Sequence, residues 1–559
     1  MIYASTFRCS RAVVITLCLT AAVAWAHAQT ATVPAAVTPP ATDSVPIDVM
    51  EYVVEGNTVL SAVAIEMVVT PFLGPQRSVA DLDAARSALE RAYQTAGYLT
   101  VFVDLPVQKV DDGVVRLKVL EGRIARTSVT GSRYYSQGYI REKLPSFTEG
   151  TVPNFTLAQT ELALVNRTEQ RRVQPVLKAG KEPGSVEIEL KVADQLPISG
   201  TVELNNQHAA DTDPWRVQAT LRYDNLFQRD HGLSVTATVA PRKPAQATAL
   251  VLNYSVPLDN GNTFIGYAVS SNSEVQTLGG TSVLGNGTTL GLRYAIPFTG
   301  RSANNGYHSL TLGVDYKDLS EKVLFGGDTI STPLRYLPFQ AAYSGNWSEK
   351  DMQTSVTATV IAASRSLLKR SVSCPGSTEP VDQFACKRFG ADGSFASLRV
   401  GGRHTQAVGP VQVGVRFASQ VATAQLASSE QFSLGGADTV RGYLEGEASG
   451  DQGAAGSLEV RSPNFARSVN GLWGTGVGST DAVLSEVTLF AFGDVGRTQI
   501  TQPLPGQASR VWLIGTGAGL SVAGRPGWNL GLEWALAKKP GAVTQSGDSR
   551  FHIRLGLKY

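Results

Sequence analysis

The chain has 559 residues, with 49 basic and 47 acidic side chains and a formal net charge of +2. This near balance excludes the strong field that would direct the protein to nucleic acid or to an anionic lipid surface. Charged residues make up only 17% of the chain and glycine occurs 55 times, which favours β-rich architecture. Because single hydrophobic cores stop growing near about 250 to 300 residues, several modules are expected.

Residues 1–28 have the pattern of a secretory signal peptide. Arg8 and Arg11 precede an apolar run over residues 12–26. The run closes on Ala26-His27-Ala28, a small-x-small cleavage site. The pattern predicts removal of this segment and export of the mature chain. A retained membrane anchor is the alternative, but it needs about 18 or more apolar residues.

After the signal peptide, the sequence indicates a linker and two α+β repeats. Residues 29–45 are rich in alanine, threonine and proline and have no periodic apolar face, which is typical of a flexible linker. The element order β-α-α-β-β is predicted over residues 46–121 and again over residues 122–195. Gly131 in the second repeat matches Gly56 in the first.

Local patterns support the individual elements of these repeats. Ser78 is predicted to cap a helix whose apolar residues recur at spacings of three and four, and Gly97 is predicted to end it. Two further helical stretches are expected near residues 136–144 and 156–166. The segment 185–192 alternates apolar and charged side chains, which predicts a half-buried strand.

From residue 196 to residue 559, helical periodicity nearly disappears and segments of about ten residues alternate with period two. About sixteen such segments lie near residues 200, 217, 235, 250, 265, 290, 311, 340, 357, 397, 414, 458, 488, 515, 531 and 555. Short turns alternate with longer polar connections, which is typical of an outer-membrane barrel. The prediction is an all-β transmembrane barrel of about sixteen antiparallel strands. A large soluble sandwich or propeller is the alternative.

The end of the chain favours the membrane alternative. Five large apolar residues alternate along the last segment and end on an aromatic terminus: Phe551, Ile553, Leu555, Leu557 and Tyr559. This ending resembles the assembly signal of outer-membrane barrels, and His552, Arg554 and Lys558 are expected on the opposite face.

Two cysteines, Cys374 and Cys386, remain once the signal peptide is removed. In an exported protein, a disulfide within a surface loop between two strands is the expected state. Two unpaired thiols or a Cys/Cys metal site are the alternatives, but no histidine lies within this segment. No metal and no cofactor are predicted.

Several motifs resemble a known family. Gly97-Tyr98-Leu99, the segment Val103–Gln108 and the segment Leu120–Ile124 resemble the POTRA domains of two-partner secretion transporters. These are the hemolysin-activator and filamentous-hemagglutinin transporters of the ShlB/FhaC/HecB, or TpsB, type. In the β region, Leu434-Gly435-Gly436 followed by Val440-Arg441-Gly442-Tyr443 resembles the conserved loop of the wider POTRA-plus-barrel superfamily. Phe490-x-Phe492-x-Asp494-x-Gly496 resembles its strand motif.

The resemblance implies an outer-membrane transporter of a Gram-negative bacterium, with two POTRA domains in the periplasm. Such a protein recognises a large, mostly β-helical exoprotein, an adhesin or hemolysin, and secretes it through the barrel without ATP. Outer-membrane lipids and, during biogenesis, the barrel assembly machinery are further implied partners, and nucleic acid is not. Some family members carry a plug helix, which the prolines at positions 34, 39 and 40 argue against here.

The sequence favours other functions less. The sequence contains no His-Glu-x-x-His, Gly-x-Ser-x-Gly or Cys-x-x-Cys motif, so an enzyme is not predicted. The glycine series Gly515, Gly517 and Gly519 is interpreted as the small-residue face of a strand rather than as a nucleotide loop. An assembly or insertion factor of the same superfamily is the main alternative function, and a diffusion porin is less favoured.

Strand parity predicts how the two barrel motifs meet. Phe490, Phe492 and Asp494 are expected on the luminal face. The long segment 422–453 is expected to fold inward, so that Arg441 reaches Asp494 and Tyr443 lies near the phenyl rings. The family resemblance favours the Arg441–Asp494 pair, whereas spacing alone is equally compatible with a solvated Arg441.

Overall fold

A computed structural model of the chain describes residues 46–273, 277–278, 281–282, 285–298, 306–325, 328–374, 377–388, 390–472 and 483–559. The chain forms two compact units, of which the second contains residues 96–100 and 121–559. Residues 1–45 lie outside the described residues. Three predictions fall on them: the signal peptide, the flexible linker and the lack of a plug helix. In the described part, no helix combines the length and apolar character needed to cross a membrane.

The first unit is an α+β fold that contains the predicted β-α-α-β-β order and adds a strand pair, Ile47–Val49 with Gly74–Arg77. Its strands are Ile47–Val49, Glu51–Glu55, Gly74–Arg77, Val101–Asp104 and Val114–Glu121, and its helices are Ala62–Val69, Thr70–Phe72 (3-10) and Val79–Thr95. The first strand of the predicted order is divided into two strands, Ile47–Val49 and Glu51–Glu55. Ser78 and Asp81 cap the long helix reciprocally. The backbone N–H of Ser78 donates to Asp81 Oδ2 at 2.8 Å, and the backbone N–H of Asp81 donates to Ser78 Oγ at 3.2 Å.

The second repeat has the predicted order β-α-α-β-β, without counterparts of Ile47–Val49 and Gly74–Arg77. Its strands are Arg123–Thr130, Arg171–Ala179 and Ser185–Asp194, and its helices are Gln137–Glu142, Pro145–Phe147 (3-10) and Phe155–Val165. In both repeats the strand directly before the first helix pairs in parallel with the last strand, which is the central strand of a three-stranded sheet. Ile140, Phe147 and Leu190 are among the side chains of the second core.

The matched glycines have the same structural role. Gly56 and Gly131 have φ of +87° and +82°, a region that disfavours residues with a Cβ. A Cβ at Gly56 would meet the carbonyl oxygen of Val119, and a Cβ at Gly131 would meet that of Val192. In both repeats, therefore, the end of the strand before the first helix approaches the last strand equally closely.

Sixteen antiparallel strands of the described chain close into a barrel. They are Ile198–Asn205, Arg216–Leu226, His231–Val239, Ala247–Pro257, Thr263–Ser273, Gly285–Phe298, Gly306–Phe325, Asp328–Tyr336 with Pro338–Glu349, Met352–Ala363, Phe395–Val408, Val411–Ala422, Gln452–Arg461, Leu484–Gln499, Arg510–Gly524, Trp528–Ala537 and Ser549–Lys558. The eighth strand is interrupted at Leu337, and both of its parts pair with the seventh. The predicted fold class and strand number are confirmed.

Side chains alternate between the outside and the lumen along these strands. Leu489 is 54% exposed on the outside, whereas its neighbour Phe490 is 6% exposed on the luminal side. On the last strand, Phe551 and Leu557 are exposed and His552 is buried toward the interior. The outer face is therefore apolar, which is the arrangement a lipid environment requires.

The second repeat contacts one end of the barrel, here called the near end. Asn225 and Gln228, in and after the second strand, donate to the carbonyl oxygen of Tyr134 at 3.1 and 3.2 Å. Lys143 pairs with Asp259 in the next turn of the same end. The opposite end, the far end, carries the long connections 364–394 and 423–451.

Several short elements lie outside the barrel ladder. Strand pairs are Thr277–Leu278 with Thr281–Ser282, Ser371–Val372 with Val381–Asp382, and Phe432–Leu434 with Ala448–Gly450. The helices are Gln383–Lys387 and Ala466–Leu472, with 3-10 turns at Pro244–Gln246, Arg365–Leu367 and Ser428–Glu430. The helices within the connections were not predicted, because five to seven residues are too few to show a helical period.

Candidate functional site: an inward loop on the barrel wall

The connection 423–451, called the inward loop, joins the eleventh and twelfth strands. Its short hairpin leads into a segment in which Val440, Arg441, Gly442 and Tyr443 are all buried. Val440 and Tyr443 pack with Leu513 and Ala537 of the barrel wall. The loop therefore lies against the inner wall at the positions that the sequence motif marks.

Arg441 and Asp494 form a buried, three-bond contact. The backbone N–H of Arg441 donates to Asp494 Oδ2 at 3.0 Å, its Nε donates to the same oxygen at 2.8 Å, and its Nη2 donates to Oδ1 at 2.9 Å. The two side chains are 4% and 0% exposed. The bidentate geometry fixes the orientation of the guanidinium as well as its position.

The remaining donors of Arg441 are also used. Nη1 donates to Glu459 at 3.0 Å and to Glu533 at 3.4 Å, while Nη2 donates to Ser457 at 3.1 Å. Sequence reasoning did not assign these three residues to the site. The alternation Ser457-Leu458-Glu459 does place Ser457 and Glu459 on the same face of their strand. In the structure this is the luminal face, and Ser457 lies directly opposite Asp494 on the neighbouring strand.

The aromatic residues of the strand motif lie beneath this contact. The guanidinium carbon of Arg441 is 3.3 Å from the ring centroid of Phe492, and that of Arg461 is 4.6 Å from the ring centroid of Phe490. A cation above an aromatic face is attracted by the ring quadrupole. The luminal phenyl groups therefore pack against arginine side chains.

The glycine series Gly515, Gly517 and Gly519 makes room for these contacts. A Cβ at Gly515 would collide with the carbonyl oxygen of Arg441. At Gly517 it would collide with the carbonyl oxygen of Trp534 and approach Phe492 Cζ to 2.6 Å, and at Gly519 it would collide with the ring of Phe490. The small-residue face of this strand accommodates both the inward loop and the two rings.

Contrary to the expectation, Tyr443 packs in a different buried cluster from Phe490 and Phe492. Its hydroxyl donates to the carbonyl oxygens of Ile514 and Lys539 at 3.0 and 2.7 Å. Gly442 intervenes with φ of +96°, and its N–H donates to His552 Nε2 at 3.2 Å. This backbone turn directs Tyr443 toward the far end of the fourteenth strand, whereas the side chain of Arg441 covers Phe492.

A second cluster joins the long connections of the far end. Cys374 and Cys386 form a disulfide within the connection 364–394. Arg388, just beyond it, pairs with Asp451 at the end of the inward loop. Asp451 also accepts from the backbone N–H groups of Leu426 and Thr501, at 2.9 and 2.7 Å. One carboxylate thus joins three connections.

No ligand set was found for a metal: within the ranges that the structure describes, no group of three or more His, Cys, Asp or Glu side chains could hold an ion. The buried Arg441, Glu430 and Asp451 of the inward loop instead pair with charged groups of the barrel wall and of another connection. The chemistry available at this site is charge pairing and positioning of the loop. Four of the five apolar residues lie on the last strand, which pairs with the first strand to close the barrel, and Tyr559 follows it. Their assembly role stays a prediction.

A closed barrel with an inward loop, preceded by an α+β POTRA segment, defines a class of outer-membrane protein. A family model described as "POTRA domain, ShlB-type" matches residues 47–122. A second, "Haemolysin secretion/activation protein ShlB/FhaC/HecB", matches residues 184–323 and 391–522. Together they match more than half of the chain, which belongs to this family. It is an outer-membrane protein whose POTRA portion lies on the periplasmic side, so the near end of the barrel faces the periplasm.

Individual relatives are distant. The outer membrane transporter CdiB of Escherichia coli is 23% identical over 41% of this chain, a match that spans only 39% of that relative's length. The heme/hemopexin transporter protein HuxB of Haemophilus influenzae is 23% identical over 71% of this chain and 69% of its own.

Solved structures share the fold. CdiB from Escherichia coli matches with a TM-score of 0.59 at 18% identity, covering 94% of this chain and 93% of that chain. A BamA structure from Haemophilus ducreyi lacking POTRA domains 1-3 matches with a TM-score of 0.53 at 13% identity, covering 92% of this chain and 100% of that chain. At these identities the matches establish the architecture alone.

Proposed function

We propose that this protein is the transporter of a two-partner secretion system, which exports one large exoprotein from the periplasm to the cell surface. The observation that carries the proposal is the Arg441–Asp494 contact, which holds a long loop inside a sixteen-stranded barrel in a chain of the ShlB/FhaC/HecB family. The relatives named CdiB and HuxB are transporters. The protein acts by binding and conducting a polypeptide, without catalysis.

The POTRA portion supplies surfaces on which an extended segment can dock. In the first unit, Glu51–Glu55 and Val101–Asp104 are the edge strands of the three-stranded sheet. Phe102 on one edge is 60% exposed, and Val63 and Met67 expose one apolar face of the first helix. An unpaired edge offers backbone donors and acceptors for β-augmentation, while neighbouring apolar groups select side chains.

We assign residues 46–121 and 122–195 to two POTRA domains and residues 196–559 to the barrel. The assignment of residues 122–195 to a second POTRA domain rests on the β-α-α-β-β order that both repeats contain and on the equivalent positions of Gly56 and Gly131. The exoprotein enters from the POTRA side, and its own folding at the surface drives export, since the periplasm offers no nucleotide. A β-helical exoprotein fits this mechanism because it can fold progressively as it emerges.

Export of the cognate exoprotein tests the proposal. The protein is co-expressed in a Gram-negative host with each candidate large secreted protein encoded by a gene that flanks its own, and surface-exposed exoprotein is measured with and without the transporter. We expect surface exoprotein only when both are present. Unchanged amounts of other barrels in the outer membrane would distinguish this function from assembly of membrane proteins. Surface delivery of the exoprotein without the transporter would contradict the proposal.

A further inference from the structure

Two arginines face each other across neighbouring strands in the lumen. Arg403 on the tenth strand lies directly opposite Arg416 on the eleventh. The same row continues through Ser457 to Asp494. Like charges in directly opposed strand positions destabilise a sheet unless something compensates them.

Three of the four surrounding acidic groups are paired with other arginines. Arg403 and Arg416 line a luminal cavity of about 460 Å³ with three further arginines and four acidic residues. Glu459 and Glu533 contact Arg441, and Glu459 also contacts Arg461. Asp438 lies 3.7 Å from Arg554.

The last acidic group of the cavity, Glu486, accepts a hydrogen bond from Thr488 at 3.0 Å. Across the described ranges, no acidic group lies within ion-pair distance of Arg403 or Arg416. A second cavity of about 280 Å³ adjoins both arginines and is lined by Ser355 and Thr357. The pair therefore borders open, polar space.

We propose that Arg403 and Arg416 form a binding site for carboxylate groups of an acidic polypeptide segment passing through the lumen. The inference rests on the proposed secretion function, which brings an extended chain through this lumen. Two guanidinium groups on adjacent strands present several N–H donors, and a carboxylate accepts them in a planar, bidentate arrangement. Aspartate or glutamate side chains of the exported chain would supply the missing negative charge.

The position of the pair suggests what the site does. Arg416 is opposite Ser457, and Ser457 accepts from Arg441 of the inward loop. An acidic side chain bound at the pair would bring negative charge next to the Arg441–Asp494 contact. Asp494 would then compete with this charge for Arg441, so the arriving chain itself weakens the contact that holds the loop.

Binding of an acidic peptide to the purified protein tests the site. A fluorescein-labelled peptide of eight glutamates is titrated against the full chain in detergent micelles, with fluorescence anisotropy as the readout. We expect binding by the wild type and at least tenfold weaker binding by the Arg403→Gln/Arg416→Gln double variant. Arg242→Gln is the matched control, because Arg242 lies exposed between the third and fourth strands. A labelled peptide of eight glutamines should not bind.

The outcomes are separable from those of the secretion experiment. Equal affinity of the wild type and the double variant, or no binding by a folded, heat-modifiable wild type, would overturn the arginine site. If the wild type exports its partner yet does not bind the peptide, the site is wrong while the secretion function stands. Binding that depends on the pair, in a protein that exports nothing, would retain the site and overturn the secretion function.

Discussion

Arg171 and Asp230 connect the second α+β repeat to the barrel through two hydrogen bonds of 2.8 Å each. Their side chains are 0% and 4% exposed. Arg171 also donates to the carbonyl oxygen of Val165 at 2.6 and 3.1 Å, and its guanidinium carbon lies 4.6 Å from the ring centroid of Tyr135. A buried guanidinium with this many fixed partners orients the repeat on the near end of the barrel.

Arg171→Ala should loosen this junction. Loss of one partner leaves Asp230 as an uncompensated buried charge, which typically costs about 3 to 5 kcal/mol. We expect faster proteolysis around residues 195–197 in the purified protein and several-fold lower export, with the barrel still heat-modifiable. Arg172→Ala is the matched control, since Arg172 is the exposed neighbour. Equal cleavage of both variants would show that the junction is held by other contacts.

Arg441→Ala or Asp494→Ala should leave a folded barrel but reduce export at least tenfold. The inward loop would lose the bidentate contact that fixes it on the wall, while the sixteen-stranded ladder keeps its hydrogen bonds. Arg441→Lys should restore export only partly, because lysine has no planar fork and cannot satisfy Asp494, Glu459 and Ser457 together. Export of the partner is measured at equal amounts of heat-modifiable protein. Wild-type export by Arg441→Ala would contradict this role.

The barrel was predictable from the sequence because its signal is local. Each strand repeats the period-two pattern over about ten residues, so all sixteen segments could be placed before their pairing was known. The Arg441–Asp494 contact was predictable for a different reason: strand parity identifies the luminal face, and the family motif identifies the loop residue.

Other parts of the site could not be predicted because they depend on long-range register. Glu533 reaches Arg441 from the fifteenth strand, and Asp451 meets Arg388 from a different connection. Tyr443 was misplaced because one positive φ at Gly442 redirects the chain. No period in the sequence reports such a turn.

Gly515→Ala should displace the inward loop. A Cβ at this position would collide with the carbonyl oxygen of Arg441, a backbone atom that cannot rotate away. We expect export to fall by about as much as in Arg441→Ala, with the barrel folded. Gly493→Ala is the control, because its Cβ would meet nothing within 4 Å. Equal export by the two alanine variants would indicate that the loop tolerates a shift at Arg441.

Replacing both Cys374 and Cys386 with serine should loosen the connection 364–394 at the far end but change export little. The disulfide closes a short loop, for which the usual chain-entropy model gives about 3 kcal/mol, whereas the strands on either side are held by their own ladder. We expect faster protease cleavage within residues 364–394 on intact cells. Export should stay within about twofold of the wild type, because the disulfide constrains only this loop. Loss of export with an intact barrel would instead assign the disulfide a part in secretion.

The Asp451 cluster should weaken at acidic pH. Burial opposes ionisation of Asp451, but hydrogen bonds from Arg388 and from the backbone N–H groups of Leu426 and Thr501 hold the pKa of this carboxyl below its ordinary value. A depressed pKa stabilises the folded state fully above the unfolded value of about 3.9, and this contribution is lost as pH falls through the folded pKa. In Asp451→Asn the side chain is an amide, which does not titrate. Amide hydrogen exchange in residues 383–388 should therefore be slower in the wild type than in Asp451→Asn at pH 5, and the difference should shrink below pH 4. A difference that does not change between pH 5 and pH 2.5 would rule out Asp451 as the titrating group.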